Sequence, residues 1–509
     1  MAERIHRRDL LKLISLLSLS GFSSILPERI VVDGSGDLPQ NVLLLVFDTL
    51  SALHLSIHGY QRDTTPNLAR FAERATVYHS HYAAGNFTTP GTASILTGVY
   101  PWTHRAFHFR GTMLDEFAGR SIFRSFHKNG YRSFGFSHNM LVNILMNQFY
   151  EDIDQLGMPR EFALADHNLA DLLFPEDYRA AIRSEEAFLK HPGKASNSLF
   201  LFLLAWLFRT LDIQGINREM NALFPRGVPQ NHDIFYLLED TFDWLILQLM
   251  GLPQPFFAYI HLMPPHAPYN TRREFVDIFK DGWEPIVKPD HVFSQGETKD
   301  LLKYQRRLYD EYIAYADAEF GRFYDLILQK GLPDNTWIVC TSDHGEMFER
   351  GIWQHQTRTL FQPIVRIPLL ISQPGQDKRQ DMYTFSSSVD LLPTLLHVTG
   401  QPAPEWCEGE VLPPFDNVSS GNGRTIYVVE AKSNPKSGPL EQATVAMMKE
   451  QYKLIHYFGY PGHDDFFELY DLLNDPDELD DLSESRVSLA LDLSAELKQT
   501  IRKVNNGSS

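Results

Sequence analysis

Residues 41–50, NVLLLVFDTL, decide how the rest of the chain reads. The apolar run from Val42 to Phe47 is unbroken and stops at Asp48. A strand with one wet face alternates apolar and polar residues; a continuous run marks a parallel strand covered on both faces. In open α/β sheets the carboxyl ends of such strands border the ligand crevice, which puts Asp48 at a pocket edge. The pattern returns in NTWIVCTSDHGE (335–346), where a buried strand from Trp337 to Thr341 delivers Asp343 and His344 just past its end. PFFAYIHLMPPHAPY (255–269) delivers His261 and His266 before it breaks at prolines, and RIPLLIS (366–372) ends at Ser372. Helical patterns such as TPNLARFAERA (65–75) lie between these runs. Strands alternating with helices predict a largely parallel sheet with helices on both faces.

The chain has 509 residues and a formal net charge of −18 from 46 basic and 64 acidic side chains. That balance argues against a nucleic-acid partner, which calls for a basic face. It suits an anionic substrate only where the site supplies its own positive charge, such as a metal ion. Two cysteines, Cys340 and Cys407, exclude a disulfide framework and a thiolate metal cage.

Three regions stand apart. RIHRRDLLKLISLLSLSGFSSIL (4–26) has a basic opening, an Arg7-Arg8 pair and a short apolar run, and it resembles a twin-arginine export address. Residues 1–31 are therefore expected to be a signal segment directing the chain out of the cytoplasm. Membrane association through this N-terminus, with the segment left uncleaved, is the alternative to its removal. Residues of about 155–245 break the strand–helix rhythm with a helical insertion around SNSLFLFLLAWLF (196–208), a run too short to span a bilayer. From residue 401 the chain is rich in Pro, Gly and Asp. There QYKLIHYF (451–458) and DFFELYDL (465–472), joined by GYPGHD, read as antiparallel strands of a small C-terminal subdomain reaching to residue 509.

Carboxylates and imidazoles gathered at strand tips make a site for one divalent metal ion: calcium, manganese, magnesium or zinc. A second puzzle is AGNFTTPGTASILTG (84–98), where Thr88 and Thr89 precede a proline at the mouth of a helix that reads as beginning near Pro90. Their hydroxyls could cap the helix. Alternatively, a hydroxyl at the positive end of a helix is placed to attack an anionic ester.

These blocks, taken in order with GYRSFGFSHN (130–139), SSVDLLPTLLHVTG (387–400) and ELYDLLNDPDE (468–478), resemble the sulfatase family of the alkaline-phosphatase-like superfamily. The resemblance covers residues of about 40–485. It implies an α/β catalytic domain over residues 40–400, with a mostly parallel central sheet flanked by helices. It further implies that Asp48, Asp343 and His344 hold the metal, with Thr49 standing where many relatives have a second aspartate. His266 and His355 then fall at substrate-contacting positions, and His138 takes the place of an assisting lysine. Thr88 occupies the nucleophile's station, where sulfatases carry a Cys or Ser that becomes formylglycine. The order here is Thr88-Thr89-Pro90-Gly91-Thr92, threonine cannot undergo that oxidation, and the motif arginine is replaced by Thr92. Threonine nucleophiles occur in superfamily members acting on phosphoesters.

The expectation is therefore a metal-dependent hydrolase or transferase in which Thr88 is both nucleophile and metal ligand. Its expected substrate is a sulfated or phosphorylated glycan, lipid headgroup or small molecule, with the phosphoester favoured on chemistry. Sulfuric ester hydrolysis without formylglycine and an inactive anion- or glycan-binding scaffold are the alternatives.

Overall fold

A computed structural model describes residues 39–166, 211, 214–231, 234–416 and 424–507. The N-terminal segment and SNSLFLFLLAWLF lie outside the described residues. Among the described residues no helix is long and apolar enough to cross a membrane.

Asn41–Phe47 (β1) is the centre of an eight-stranded sheet. The other strands are Thr76–Tyr78 (β2), Arg132–Ser137 (β3), Gln155–Gly157 (β4), Phe256–Leu262 (β5), Thr336–Ser342 (β6), Leu369–Ser372 (β7) and Gln380–Met382 (β8). Their order is β8-β2-β7-β6-β1-β5-β3-β4. Strands β6, β1, β5, β3 and β4 are mutually parallel. The RIPLLIS strand β7 runs antiparallel to both β6 and β2. A continuous apolar run reports burial on both faces but not strand direction, so this reversal is invisible in the pattern.

Period-two alternation sends β1 into two separate cores. Leu43, Leu45 and Phe47 join one apolar cluster, while Val42, Leu44 and Val46 join another on the opposite face. The first face is closed by Leu238–Gly251 (α4) and the long Lys299–Gln329 (α5). The second is closed by Thr88–Thr97 (α2) and Leu391–Val398 (α6). Each fully buried Leu or Val contributes about 1.5–3 kcal/mol, so two dry faces hold β1 rigidly and fix the position of the residue that follows it.

After residue 401 the chain forms a four-stranded antiparallel sheet, Thr425–Glu430 (β9), Ala443–Lys449 (β10), Tyr452–Phe458 (β11) and Phe466–Asp471 (β12). Val487–Gly507 (α7) packs across it. QYKLIHYF and DFFELYDL are its last two strands, paired from Tyr457↔Phe466 to Tyr452↔Asp471. A buried ion pair ties this sheet to the catalytic layer. Lys453 Nζ donates to Glu478 Oε1 at 2.7 Å, and Glu478 Oε2 accepts the Gln362 amide at 2.7 Å. Cys340 is a free buried thiol and Cys407 a free half-buried one.

His104 lies within the second core, where its Nδ1 accepts the Ala106 amide and its Nε2 meets Ser94 Oγ, each at 3.0 Å. Burial pushes its pKa down to about 3, outweighing the upward pull of the Pro90 and His104 backbone groups. The unfolded chain binds a proton at this histidine near pH 6.5 and the folded chain does not. Stability is therefore fully present above that pH and declines as pH falls from about 6.5 toward about 3. Urea unfolding between pH 8 and pH 4 is expected to show this loss, with a shallower acid slope in His104→Asn.

Candidate active site

The register of the central strands assembles the site. Phe47 of β1 pairs with Ser342 of β6 on one side and with Leu262 of β5 on the other. The next residues along β1 and β6 are Asp48 and Asp343, so their carboxyl groups meet at one sheet edge. Val46 pairs with His261 of β5, which adds an imidazole to the same edge. All three side chains are fully buried, and one ligand atom from each lies within 4.8 Å of the others. His344 adds its Nε2 at 3.7 Å from Asp48 Oδ1 and 3.6 Å from Asp343 Oδ2. Its Nδ1 faces the Gly345 carbonyl at 2.9 Å and donates to it, leaving the Nε2 lone pair directed at the carboxylates.

The loop after β1 is braced from α5. Tyr309 Oη donates to the Thr49 carbonyl at 2.6 Å and accepts the Ser51 amide at 3.0 Å. Between these bonds Thr49 is held at φ 66°, a conformation that a β-branched residue enters only under constraint. The Thr49 amide donates to Asp343 Oδ1 at 3.3 Å.

Two carboxylates in a dry pocket repel one another. Burial and the charge of Asp48 push Asp343 well above the usual carboxylate range. Burial alone would raise Asp48 as well, but the fields of His266, His261 and His344 hold it below that range. Asp48 Oδ1 and Asp343 Oδ2 are buried with no hydrogen-bond partner, a state that costs several kcal/mol unless something positive lies between them. Two carboxylates, imidazole nitrogens and a nearby hydroxyl fit a divalent cation.

The hydroxyl is Thr88. Helix α2 begins at Thr88 rather than near Pro90, because the first amides of a helix bond to no preceding carbonyl and tolerate a proline among them. Phe87 is the capping residue, and no side chain bonds the free amides. Thr88 therefore does not cap: its Oγ1 lies 3.4 Å from His344 Nε2. The helix comes this close because residue 91 is glycine; a Cβ there would run into the Asp343 carbonyl oxygen. The neighbouring Thr89 Oγ1 is also buried and unpaired.

Two further histidines border this group. The His355 ring centre is 4.4 Å from that of His344 and 5.3 Å from that of His266. His355 Nδ1 meets Glu346 Oε1 at 3.0 Å, and Glu346 Oε2 accepts from Tyr269 Oη at 3.2 Å. Burial and the neighbouring His266 push His355 down to about 3, and burial pushes Glu346 up to about 8. His266 Nδ1 donates to the Ala267 carbonyl at 2.6 Å. Asn86 joins the two loops, its Nδ2 donating to the Thr357 carbonyl at 2.9 Å. Lys432 of the C-terminal subdomain donates to that same carbonyl at 3.3 Å.

His138 is placed differently. Its ring stacks on Tyr236 at 4.1 Å, its Nδ1 accepts the Met263 amide and its Nε2 faces Thr241 Oγ1, each at 3.3 Å. Both nitrogens are thus occupied inside the core, and the ring is not brought to the carboxylates. Its neighbour Asn139 is: Nδ2 donates to Asp48 Oδ2 at 2.5 Å. Asn139 and Glu346 are the site residues that sequence reasoning passed over, and His261, read as delivered by its strand, was not assigned to the metal group. The available signal for His261 was an imidazole inside an otherwise apolar strand, FFAYIHL.

A family model described as Sulfatase matches residues 40–401, and one described as N-sulphoglucosamine sulphohydrolase, C-terminal, matches residues 349–507. The choline-sulfatase of Rhizobium meliloti (strain 1021) is 24% identical over 474 residues, spanning 87% of this chain and 82% of its own. The arylsulfatase of Clostridium perfringens (strain 13 / Type A) is 23% identical over 476 residues, spanning 87% and 90%. The phosphonate monoester hydrolase of Silicibacter pomeroyi superposes with a TM-score of 0.64 at 19% identity, spanning 91% and 95%.

Chelation is expected to lower the melting temperature, because it leaves Asp48 and Asp343 facing each other. Returning manganese or zinc at about 100 times its dissociation constant should restore about 2.7 kcal/mol, read by thermal unfolding. Asp343→Asn should lose that metal-induced rise while melting no lower than wild type in chelator, since the amide removes the repulsion.

Proposed function

The chain belongs to the sulfatase family of alkaline-phosphatase-like ester hydrolases, and on that premise we propose that Thr88 is its nucleophile. The observation that carries this reading is the buried Thr88 hydroxyl 3.4 Å from His344 Nε2, the nitrogen that itself lies 3.6–3.7 Å from the two carboxyl groups. Asp48, Asp343 and His344 would hold a divalent ion, with His261 as a further imidazole donor and Thr88 at its edge. The imidazoles favour manganese or zinc over calcium and magnesium, which prefer all-oxygen shells. When bound, such an ion supplies a Lewis acid for an ester oxygen and lowers the pKa of an adjacent hydroxyl by several units.

The chain's own groups do the rest. Asn139 and His261 fix one oxygen of Asp48 and turn the other toward Asp343. The amino end of α2 directs its unpaired amides and dipole at the place where an anionic ester group must sit. Thr88 Oγ attacks in line, and His266 or His355 protonates the departing oxygen. Water or a second alcohol then releases the Thr88 ester. The substrate is an anionic ester of a glycan, lipid headgroup or small molecule. Because threonine cannot form the formylglycine of sulfatases, a phosphorus ester is favoured over a sulfuric one. Relatives and structural neighbours of both kinds, choline-sulfatase and phosphonate monoester hydrolase, are compatible with either.

Turnover of 4-nitrophenyl sulfate, phosphate, phenylphosphonate and bis-phosphate by the metal-loaded enzyme tests this reading. Thr88→Ala should lose at least about 1,000-fold in kcat on whichever ester is cleaved, a loss expected of a removed nucleophile. Its melting temperature should stay near that of wild type. Thr88→Ser should keep measurable activity, and full activity in Thr88→Ala would move the nucleophile to Thr89.

A further inference from the structure

We propose that Lys432 and Arg358 form an outer anion subsite that reads a second negative charge on the substrate, an assignment that rests on the neighbouring pocket being the ester site. The substrate class is then an ester whose alcohol portion carries a further sulfate or phosphate group. The need for such a subsite comes from the charge balance. With a formal net charge of −18, the chain repels a polyanion unless fixed positive groups border the pocket. Neither cation that the family resemblance places beside the nucleophile is there: Thr92 stands at the motif arginine, and His138, in the place of the assisting lysine, is turned into the core. A bound divalent ion and the α2 amides serve the ester group itself, so a second charge has to be met elsewhere.

The loop that carries His355 has two such groups on it. Lys432 lies two residues past β9, and its Nζ is 3.3 Å from the Thr357 carbonyl. That carbonyl already accepts from Asn86 at 2.9 Å, and Asn86, two residues before Thr88, also faces the His355 carbonyl at 3.4 Å. One side-chain amide thus ties the ammonium's anchor point to the loops of both His355 and Thr88. The Lys432 side chain is 35% exposed, and its acidic neighbour Glu430 is 3.8 Å away, beyond hydrogen-bond reach. Glu430 directs its oxygens to the Lys432 backbone amide at 3.2 Å and the Tyr460 hydroxyl at 2.7 Å. The ammonium therefore keeps two of its three N–H groups for a ligand. Arg358 follows Thr357 and is exposed, its guanidinium packed 5.3 Å from the ring centre of Phe293 and 5.0 Å from that of the same Tyr460. Among the described residues no carboxylate pairs with it. Aromatic faces hold a guanidinium in place without neutralising it, and its N–H edge can grip a sulfate or phosphate through two parallel bonds. The two cations are thus held about one shared hydrogen-bonded pair, Glu430 and Tyr460.

Titration calorimetry on metal-loaded Thr88→Ala, which should bind esters without consuming them, reads the subsite. Two matched pairs are the probes: glucose 6-phosphate against glucose 1,6-bisphosphate, and galactose 6-sulfate against galactose 2,6-disulfate. In at least one pair the doubly esterified member should bind about tenfold more tightly, the ordinary size of a charge-assisted hydrogen bond. The pair that shows the preference tells phosphate from sulfate. Raising salt from about 50 mM to about 500 mM should shrink that ratio, because exposed charges are screened. Arg358→Gln and Lys432→Gln should each cut the ratio about threefold, and the double variant should bring it to about one. If Lys432 served only to brace the His355 loop, its loss would weaken both members of a pair alike and leave the ratio intact. A ratio near one in Thr88→Ala for both pairs, or a ratio unchanged in the double variant, would overturn the proposal. Release of free phosphate or sulfate by Thr88→Ala would instead overturn Thr88 as the nucleophile, and the same ratio, read as kcat/KM, would still decide the subsite.

Discussion

Two carboxyl groups buried side by side at the end of one sheet are the constraint around which this molecule is arranged. Asp48 and Asp343 end adjacent parallel strands in matched register, so neither can withdraw without breaking the centre of the sheet. Burial and the neighbouring charge of Asp48 raise Asp343 well above the usual carboxylate range. The neighbouring groups do not relieve it: Asn139 and His261 bond the same oxygen of Asp48, leaving the opposite one bare. The two apolar clusters on either face of the sheet hold those oxygens in fixed positions.

Several structural details follow from keeping those oxygens in place. Thr49 takes a left-handed conformation because the chain must turn immediately after Asp48, and Tyr309 spans the turn from a helix on the far side of the core. Glycine at position 91 lets helix α2 approach the Asp343 backbone to a distance that any side chain would forbid. Asn86 and Lys432 converge on one carbonyl, Thr357, in the loop that carries His355. The C-terminal sheet therefore reaches the chemistry through that loop, and the buried Glu478 anchors it near the same loop by bonding the Gln362 amide.

What was legible in the amino-acid sequence divides along physical lines. Asp48, Asp343 and His344 could be read because a polar residue at the end of a doubly buried strand has few places to go but a pocket. The central sheet was legible for the same reason, whereas the antiparallel course of β7 was not, since burial alone carries no sign of direction. His138 looked like a site residue by its place in a block, yet a histidine one residue past a strand end can turn either way. Here it turned into the aromatic wall formed with Tyr236, and Asn139 took the outlet instead. His261 and Glu346 were hidden because their roles depend on cross-strand register and on a loop closing over 9 positions to His355, neither of which local pattern encodes.

With threonine as the proposed nucleophile in place of formylglycine, the burden of catalysis shifts onto the rest of the pocket. A threonine hydroxyl is inert near neutrality, so its proton must be loosened by a positive charge nearby, and the bare oxygens of Asp48 and Asp343 are the feature able to gather one. The ester it forms is also less ready to leave, so proton transfer on the opposite side of the reacting atom becomes necessary rather than helpful. A single turn, Asp343-His344-Gly345-Glu346, links the carboxyl at the sheet edge to the carboxyl that meets the His355 ring, and between them His344 Nε2 lies against Thr88 Oγ1.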